Sequence, residues 1–337
     1  MTLQGPQEER CPLCGGSQPA WTFFAKGLSP DDPRFEVRRC PSCGLGLTSP
    51  ALPASDIGAY YPPAYYGRDN VRFHWSIEAL VRLFRLRRAW LISRLCEPGP
   101  VLDMGCGRGI LLSSLRRSGY EPLGVEISDQ AAWHARHRLK LEVRTGDFLT
   151  LPLPEEHFTA VVFWHSLEHL KEPLKALRRA RTLLRRGGLL VVAVPNSESW
   201  QARLTGRNWF HLDVPRHYAH FGLKSLEQAL SREGFGLVRM DHFSFEQNPY
   251  GWLQSLYNAA GFEFNFLYSI IKDRSSRSTP ILRHPAQALA ILLLLPMFLP
   301  LSILLTVLEA AFRRGGTIEA YAIKELRRRA RAAGSES

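Results

Sequence analysis

Residues Val101–Gly109 read VLDMGCGRG, and this stretch decides the fold. A short apolar run, Val101–Met104, carries one acid, Asp103, and leads into glycines at every second position, Gly105, Gly107 and Gly109. An apolar run this short, ended by turn residues, reads as a buried strand. Closely spaced glycines let the chain turn sharply and approach a ligand without a Cβ in the way. A dinucleotide fingerprint starting at Gly105 would need glycine or alanine at position 110, where the chain has Ile110. That argues against a nicotinamide cofactor.

The pattern continues downstream as alternating apolar runs and charged helical stretches. The runs are Val101–Met104, Leu123–Ile127, Leu141–Arg144, Phe158–Trp164 and Leu189–Val194, with helices expected over Ile110–Ser118, Asp129–Leu139 and Glu172–Leu184. Gly187-Gly188 reads as the cap closing the last helix. A helix over Leu223–Arg232, a strand near Leu237–Phe243 and a last strand over Thr317–Ile323 follow. Strands alternating with helices imply a parallel, doubly wound sheet. In such a sheet ligands bind beyond the carboxyl ends of the strands, where the glycine turn lies.

Two further acids fall at strand ends. Glu126 closes the second run (LGVEIS), 21 residues after Gly105, where a carboxylate can accept hydrogen bonds from ribose hydroxyls. Asp147, in Gly146-Asp147-Phe148, follows the third. The loop with its preceding acid resembles motif I of the class I S-adenosylmethionine-dependent methyltransferases. The resemblance implies a Rossmann-like, seven-stranded α/β core. It also implies a donor site formed by Asp103, Gly105, Cys106, Gly107, Gly109, Glu126, Ile127, Asp147, Phe148 and Trp164. In that family the loop backbone meets the methionine moiety, and Asp147 and its neighbour's backbone meet the adenine.

Phe158–Leu170 reads FTAVVFWHSLEHL and resembles the family's strand and LEHL turn, which puts Trp164 and His165 at the mouth of the acceptor pocket. His165 and the later His217 are the candidate bases, since imidazole titrates near neutrality. Trp209–Phe221 (WFHLDVPRHYAHF) is dense in rings, and Arg216, His217, Tyr218 and His220 are its candidate acceptor contacts. His165, Glu168, His169 and His217 also form an HxxEH-plus-His set. Spacing alone leaves both helix capping and metal ligation open for it.

Cys11, Cys14, Cys40 and Cys43 form two matched CxxCG knuckles, which is the spacing of a closed, structural zinc site with four thiolate ligands. This front end, with CGLGLTSP and YYPPAYYG after it, resembles the zinc ribbon of a group of bacterial methyltransferases of the type 11/12/23 kind. Six cysteines, four of them paired for metal, suit a reducing cytosol, and the polar N-terminus MTLQGPQEER lacks the apolar core of a secretory signal.

Pro285–Leu308 contains no charge and is long enough to cross a bilayer once. A single crossing would strand the last strand on the wrong side of its sheet. Pro296 and Pro300 divide the run, so a hairpin lying in the membrane surface is expected, with Arg283, Arg313 and Arg314 at anionic headgroups. The expected organisation is a ribbon over residues 1–50, a linker and amphipathic helix over 51–98, the core over 99–245 and 313–326, and the apolar insertion over 246–312.

The net charge of +12 and isoelectric point near 9.7 admit an anionic membrane or nucleic acid as partner. No aromatic–basic RNA-binding pattern accompanies the arginines. The expectation is therefore a methyltransferase using S-adenosylmethionine and structural Zn2+, acting on a small lipidic or lipid-linked acceptor at the cytoplasmic membrane face. A zinc-ribbon RNA methyltransferase and a non-catalytic S-adenosylmethionine-binding scaffold are the alternatives.

Overall fold

The computed structural model describes residues 10–16, 21–25, 35–52, 58–61, 75–272 and 278–325. Tyr65, Tyr66 and the arginines at 327–329 and 331 lie outside the described residues. Three short strands, β1 (Trp21–Ala25), β2 (Phe35–Arg39) and β3 (Gly46–Ser49), precede a long helix, α1 (Trp75–Leu95). The alternating region follows as β4 (Pro100–Met104), α2 (Ile110–Arg117), β5 (Glu121–Glu126), α3 (Asp129–His137), β6 (Glu142–Thr145), β7 (Phe158–Trp164), α4 (Pro173–Leu183), β8 (Leu184–Pro195) and α5 (Trp200–Thr205). Then come β9 (Ala219–His220), α6 (Leu223–Arg232) and β10 (Phe235–Asp241). Four helices follow, α7 (Asn248–Ala259), α8 (Phe266–Lys272), α9 (Ser278–Arg283) and α10 (Pro285–Ala311), before the last strand, β11 (Thr317–Lys324).

Seven strands form one sheet in the order β10-β11-β8-β7-β4-β5-β6. The pairs from β8 to β6 are parallel, and β11 runs antiparallel to both β8 and β10. The chain winds outward from β4 to β6 and then crosses back to β7. The strand order therefore reverses between β4 and β7, which is where a doubly wound sheet opens its ligand crevice. This is the expected Rossmann-like, seven-stranded architecture. Helices cover both faces, so β7, apart from Thr159, and the second half of β8 are apolar runs buried nearly to their ends.

The Gly187-Gly188 pair is not the helix cap expected of it. Helix α4 ends at Leu183 and β8 starts at once, with Gly187 inside the strand at φ 68°. The register against β7 slips between Phe158 and Ala160, and a Cβ on Gly188 would stand 2.9 Å from the Arg185 carbonyl oxygen. The pair serves a bulge, where a left-handed residue and close backbone approach need glycine.

Helix α1 buries Ala89, Leu91 and Ile92 as an amphipathic helix should, but several of its side chains depart from that reading. Leu80, Leu83, Leu86 and Trp90 are exposed, while Arg88 is buried. Its guanidinium lies 3.8 Å from the centre of the Trp164 ring and pairs with Glu246, which Arg85 also holds at 2.7 Å. Burial would raise the Glu246 carboxyl, but Arg85 and Arg88 hold it down at about 2.

The apolar run is one continuous helix and does not turn back at its prolines. Proline removes one backbone donor and crowds the preceding turn, yet neighbouring packing can hold such a helix together. Here α7 lies along one face: Tyr257 donates to the Ile291 carbonyl at 2.9 Å and packs edge-on to Phe298. The buried residues of α10, Ile291, Ser302, Thr306 and Glu309, fall on that stripe. Leu292, Leu293, Met297, Leu299, Ile303, Leu304 and Val307 remain exposed.

The ribbon strands form a second sheet, β1-β2-β3-β9, whose last member comes from the main body of the chain. Cys11, Leu13, Cys40, Cys43 and Leu45 share one apolar core with Phe221, Leu226 and Leu230. The front end is thus fused to the large sheet.

Removing a buried cation leaves its acid uncompensated, which costs about 3–5 kcal/mol. Arg88→Ala is expected to lower the unfolding free energy by about that amount in urea denaturation, and Arg82→Ala, on the exposed side of α1, by less than about 0.5 kcal/mol.

Candidate functional site

The loop after β4 is anchored from β5. The Gly105 and Cys106 amides both donate to the Val125 carbonyl, at 2.8 and 3.2 Å. Glu126 Oε2 accepts from the Gly107 amide at 2.9 Å, and Oε1 from Ile127 at 2.9 Å. All three loop glycines have left-handed φ, but their surroundings differ. A Cβ on Gly105 would lie 2.9 Å from Ser166 Cβ, and one on Gly109 2.7 Å from Ala135 Cβ. One on Gly107 would meet nothing within 4 Å. Gly105 and Gly109 are thus needed for packing, and the loop is open at Gly107.

Cys106 turns its sulfur against Gly124 of β5, so it offers the crevice only backbone, and burial pushes its thiol up. Asp103 is buried at the end of β4. Burial raises its carboxyl to about 7, against the pull of Arg85 and Arg88. Beside Glu126, the Ile127 side chain is 71% exposed. Asp147 is exposed, and its Oδ1 accepts from the Leu149 amide at 2.9 Å. The Phe148 side chain lies in the core, edge-on to Phe163, leaving its backbone for any ligand. Trp164 ends β7 under the Arg88 guanidinium, its Nε1 without a partner.

On the other side of the crevice, His165 is held at φ 52°, its amide bonded to the Ala193 carbonyl. Its Nδ1 lies 3.2 Å from Glu168 Oε1, and its Nε2 is buried without a partner. Burial alone would raise the Glu168 carboxyl, but the His165 hydrogen bond and the nearby imidazoles of His169 and His217 hold it at about 2. The 216–220 segment is tied to this turn by the Tyr218 amide, which donates to the Glu168 carbonyl at 2.8 Å.

The four candidate acceptor residues occupy different environments. Arg216 pairs with Asp213 at 2.5 Å, and Tyr218 is half-buried. His217 is buried, its Nδ1 bonded to the His211 carbonyl at 2.9 Å, and burial lowers it to about 4. His220 faces the ribbon instead, 2.9 Å from Thr48 Oγ1, and burial lowers it to about 3, so it packs the sheet junction. Sequence reading missed Arg85, Arg88, Ser166, Asp213 and Glu246. The i, i+3 spacing of Arg85 and Arg88, and of Asp213 and Arg216, was the available signal.

The cysteines converge. Cys11 and Cys43 sulfurs are 3.5 Å apart, as are those of Cys14 and Cys40, and all four lie within 4.8 Å of one another. A tetrahedral Zn–S site with bonds of about 2.3 Å has sulfurs about 3.8 Å apart. The two knuckles also repeat the same turn: Gly15 and Gly44 amides donate to the Cys11 and Cys40 carbonyls at 2.8 and 2.9 Å. Burial raises the Cys11 and Cys43 thiols. For Cys40 burial pulls the same way, but the turn amides of Cys43 and Ser42 and the Cys14 contact bring it down to about 7. The set fits one structural zinc ion.

Asp103 gives a pH dependence. Its folded pKa of about 7 lies above the ordinary 3.8, so the folded state holds the proton more tightly. Its favourable contribution is complete below about pH 4 and is lost as pH rises through 7, by at most about 4 kcal/mol. Urea denaturation across this range is expected to show that decline, and Asp103→Asn is expected to flatten it.

Residues 78–239 match the family described as "Methyltransferase domain". The chain is 31% identical over 118 residues to a Mycobacterium tuberculosis protein named "Probable S-adenosylmethionine-dependent methyltransferase", covering 34% of this chain and 43% of that one. It thus spans less than half the length of that relative. It is 27% identical over 182 residues to a "Ubiquinone biosynthesis O-methyltransferase" of Cereibacter sphaeroides, covering 51% of this chain and 73% of the relative. A crystal structure of a SAM-dependent methyltransferase from Archaeoglobus fulgidus aligns at 25% identity and TM-score 0.43, over 56% of this chain and 79% of that one. Over residues 78–239 the chain thus matches a methyltransferase domain, and that stretch carries β4 to β8 of the Rossmann-like sheet.

Proposed function

We propose that this chain transfers a methyl group from S-adenosylmethionine to oxygen or carbon of a small lipidic or lipid-linked acceptor at the cytoplasmic membrane face. The observation that carries the donor half is the open backbone at Gly107, set between buried Asp103 and Glu126 at the strand reversal. Glu126 would take the ribose hydroxyls, Ile127 the adenine face, Asp147 and the Phe148 backbone the adenine edge, and Asp103 the amino group. Gly105, Cys106, Gly107 and Gly109 supply the loop backbone, and Trp164 the floor. S-adenosylmethionine supplies a methyl group already activated on a sulfonium. Alignment of the acceptor then provides much of the rate, and a base is needed only where the acceptor must lose a proton. His165 and, while its Nε2 carries no metal ion, His217 are the residues for that role.

The acceptor half rests on α10. It is the one helix among the described residues long and apolar enough to cross a membrane, yet only 11% of its most apolar stretch is buried. A core helix of a soluble domain would be covered. Both ends of the insertion meet the sheet at one edge, where β10 and β11 pair, and α7 runs along the helix side. An in-plane seat on the bilayer accommodates both facts, with Arg283, Arg313 and Arg314 towards headgroups. The exposed Leu83, Leu86 and Trp90 of α1 add apolar surface. The name of the Cereibacter sphaeroides relative, with its ubiquinone pathway, agrees with a lipidic acceptor. RNA is less well supported: Arg178 pairs with Glu233, Arg181 holds the Gly234 and Glu325 carbonyls, and Arg85 and Arg88 point inward.

S-adenosylhomocysteine near 100 times its Kd should stabilise the chain by about 2.7 kcal/mol in thermal unfolding. Glu126→Ala and Gly107→Val should each abolish that shift, and a shift of the same size in either variant would count against the donor site. Incubation with labelled S-adenosylmethionine should label a total membrane-lipid extract and leave total RNA unlabelled. Label in RNA alone would transfer the assignment to the RNA reading.

A further inference from the structure

We infer that Glu168, His169 and His217 form a second metal site, separate from the cysteine cluster, for a divalent transition ion of the Zn2+ or Mn2+ kind. The three side chains come from the turn after β7 and from the segment before β9. Each offers a ligand atom within 4.8 Å of the others, a spread that small side-chain rotations close onto one ion.

The hydrogen bonds around the cluster prepare these atoms for ligation. His169 Nδ1 lies 2.9 Å from the Arg216 carbonyl oxygen, and His217 Nδ1 lies 2.9 Å from that of His211. A carbonyl can only accept, so a neutral ring that bonds it carries its proton on Nδ1 and presents an unprotonated Nε2; the His169 Nδ1 also lies 3.0 Å from the Tyr61 hydroxyl, which can accept from the same proton. That is the state in which imidazole binds metal, and a backbone carbonyl on the other ring nitrogen is the usual support of a metal-binding histidine. Glu168 is 1% exposed. Its Oε1 is engaged by His165 Nδ1 at 3.2 Å, while Oε2 is buried with no partner. An unpaired carboxylate oxygen in a buried site is costly, and an ion would satisfy it. Asp213 Oδ2 lies 3.8 Å from His217 Nε2, its charge balanced by Arg216.

Two imidazoles and one carboxylate favour a borderline transition ion over Ca2+ or Mg2+, which prefer all-oxygen shells. Three protein ligands also leave coordination positions open, unlike the closed cysteine site. The turn bearing the ligands abuts the donor loop, since Ser166 sits against Gly105.

The test uses the full chain freed of metal and titrated with Co2+ alone. Two equivalents should bind. One should give intense thiolate-to-metal absorption, and the other only the weak visible bands of a nitrogen–oxygen site. Cys40→Ser with Cys43→Ser should remove the first signature and keep the second. His169→Gln and His217→Gln should each remove the second and keep the first, which also reports that the fold survives. If the wild-type chain binds a single equivalent, all with thiolate absorption, the inference is overturned. It is equally overturned if both histidine variants retain two. Because no methyl donor is present, this outcome is independent of the donor-site assignment.

Discussion

The Tyr218 amide donating to the Glu168 carbonyl joins three parts of the protein that the chain places far apart. Glu168 belongs to the turn at the end of β7, at the strand reversal. Tyr218 belongs to the segment that becomes β9 and completes the ribbon sheet. The Tyr218 carbonyl in turn accepts from the Thr48 amide of β3, so one backbone ladder runs from the crevice to the cysteine knuckles. The ring-rich side of the crevice hangs from this connection. The donor loop is held by Val125 and Glu126, and the ring-rich segment by the LEH turn and the ribbon.

This arrangement gives the ribbon a role in shaping the site although a closed cysteine cluster has no chemistry of its own. Thr48 Oγ1 holds the His217 carbonyl at 2.8 Å and the His220 ring at 2.9 Å. A zinc ion on the four sulfurs would fix the knuckles, and through them β3 and the backbone that carries His217. A similar connection reaches the apolar helix. Buried Glu309, near the end of α10, accepts from Gln201 Nε2 and the Gly316 amide, each at 3.0 Å, and Gln201 Oε1 accepts from the Trp209 ring at 3.3 Å. The helix read as membrane-facing is thereby anchored beside the segment read as facing the acceptor.

Much of the sheet was legible because periodicity and turn chemistry report local structure directly. β7 lies where its apolar run predicted it, and α6 begins and ends at its expected residues. The misreadings share one cause. Gly187-Gly188 looks like a helix cap from sequence, but its neighbour across the sheet decides that it is a bulge. The arginines of α1 look like a solvated face, yet Glu246 and Trp164 draw Arg88 inside. Pro296 and Pro300 look like breaks, yet α7 supports the helix through them. In each case a partner distant in sequence overrides a local preference.

The sequence by itself determined the α/β alternation, the glycine loop with its acids at strand ends, the paired knuckles and the charge-free run, since each is a pattern within a short window. The tertiary structure alone decided which loop glycine faces open space, which of the clustered histidines is spent on packing, and which two lie close to Glu168. Those properties depend on side chains from separate elements meeting at fixed distances. A single chain's residue order carries no record of such meetings until the sheet has closed around them.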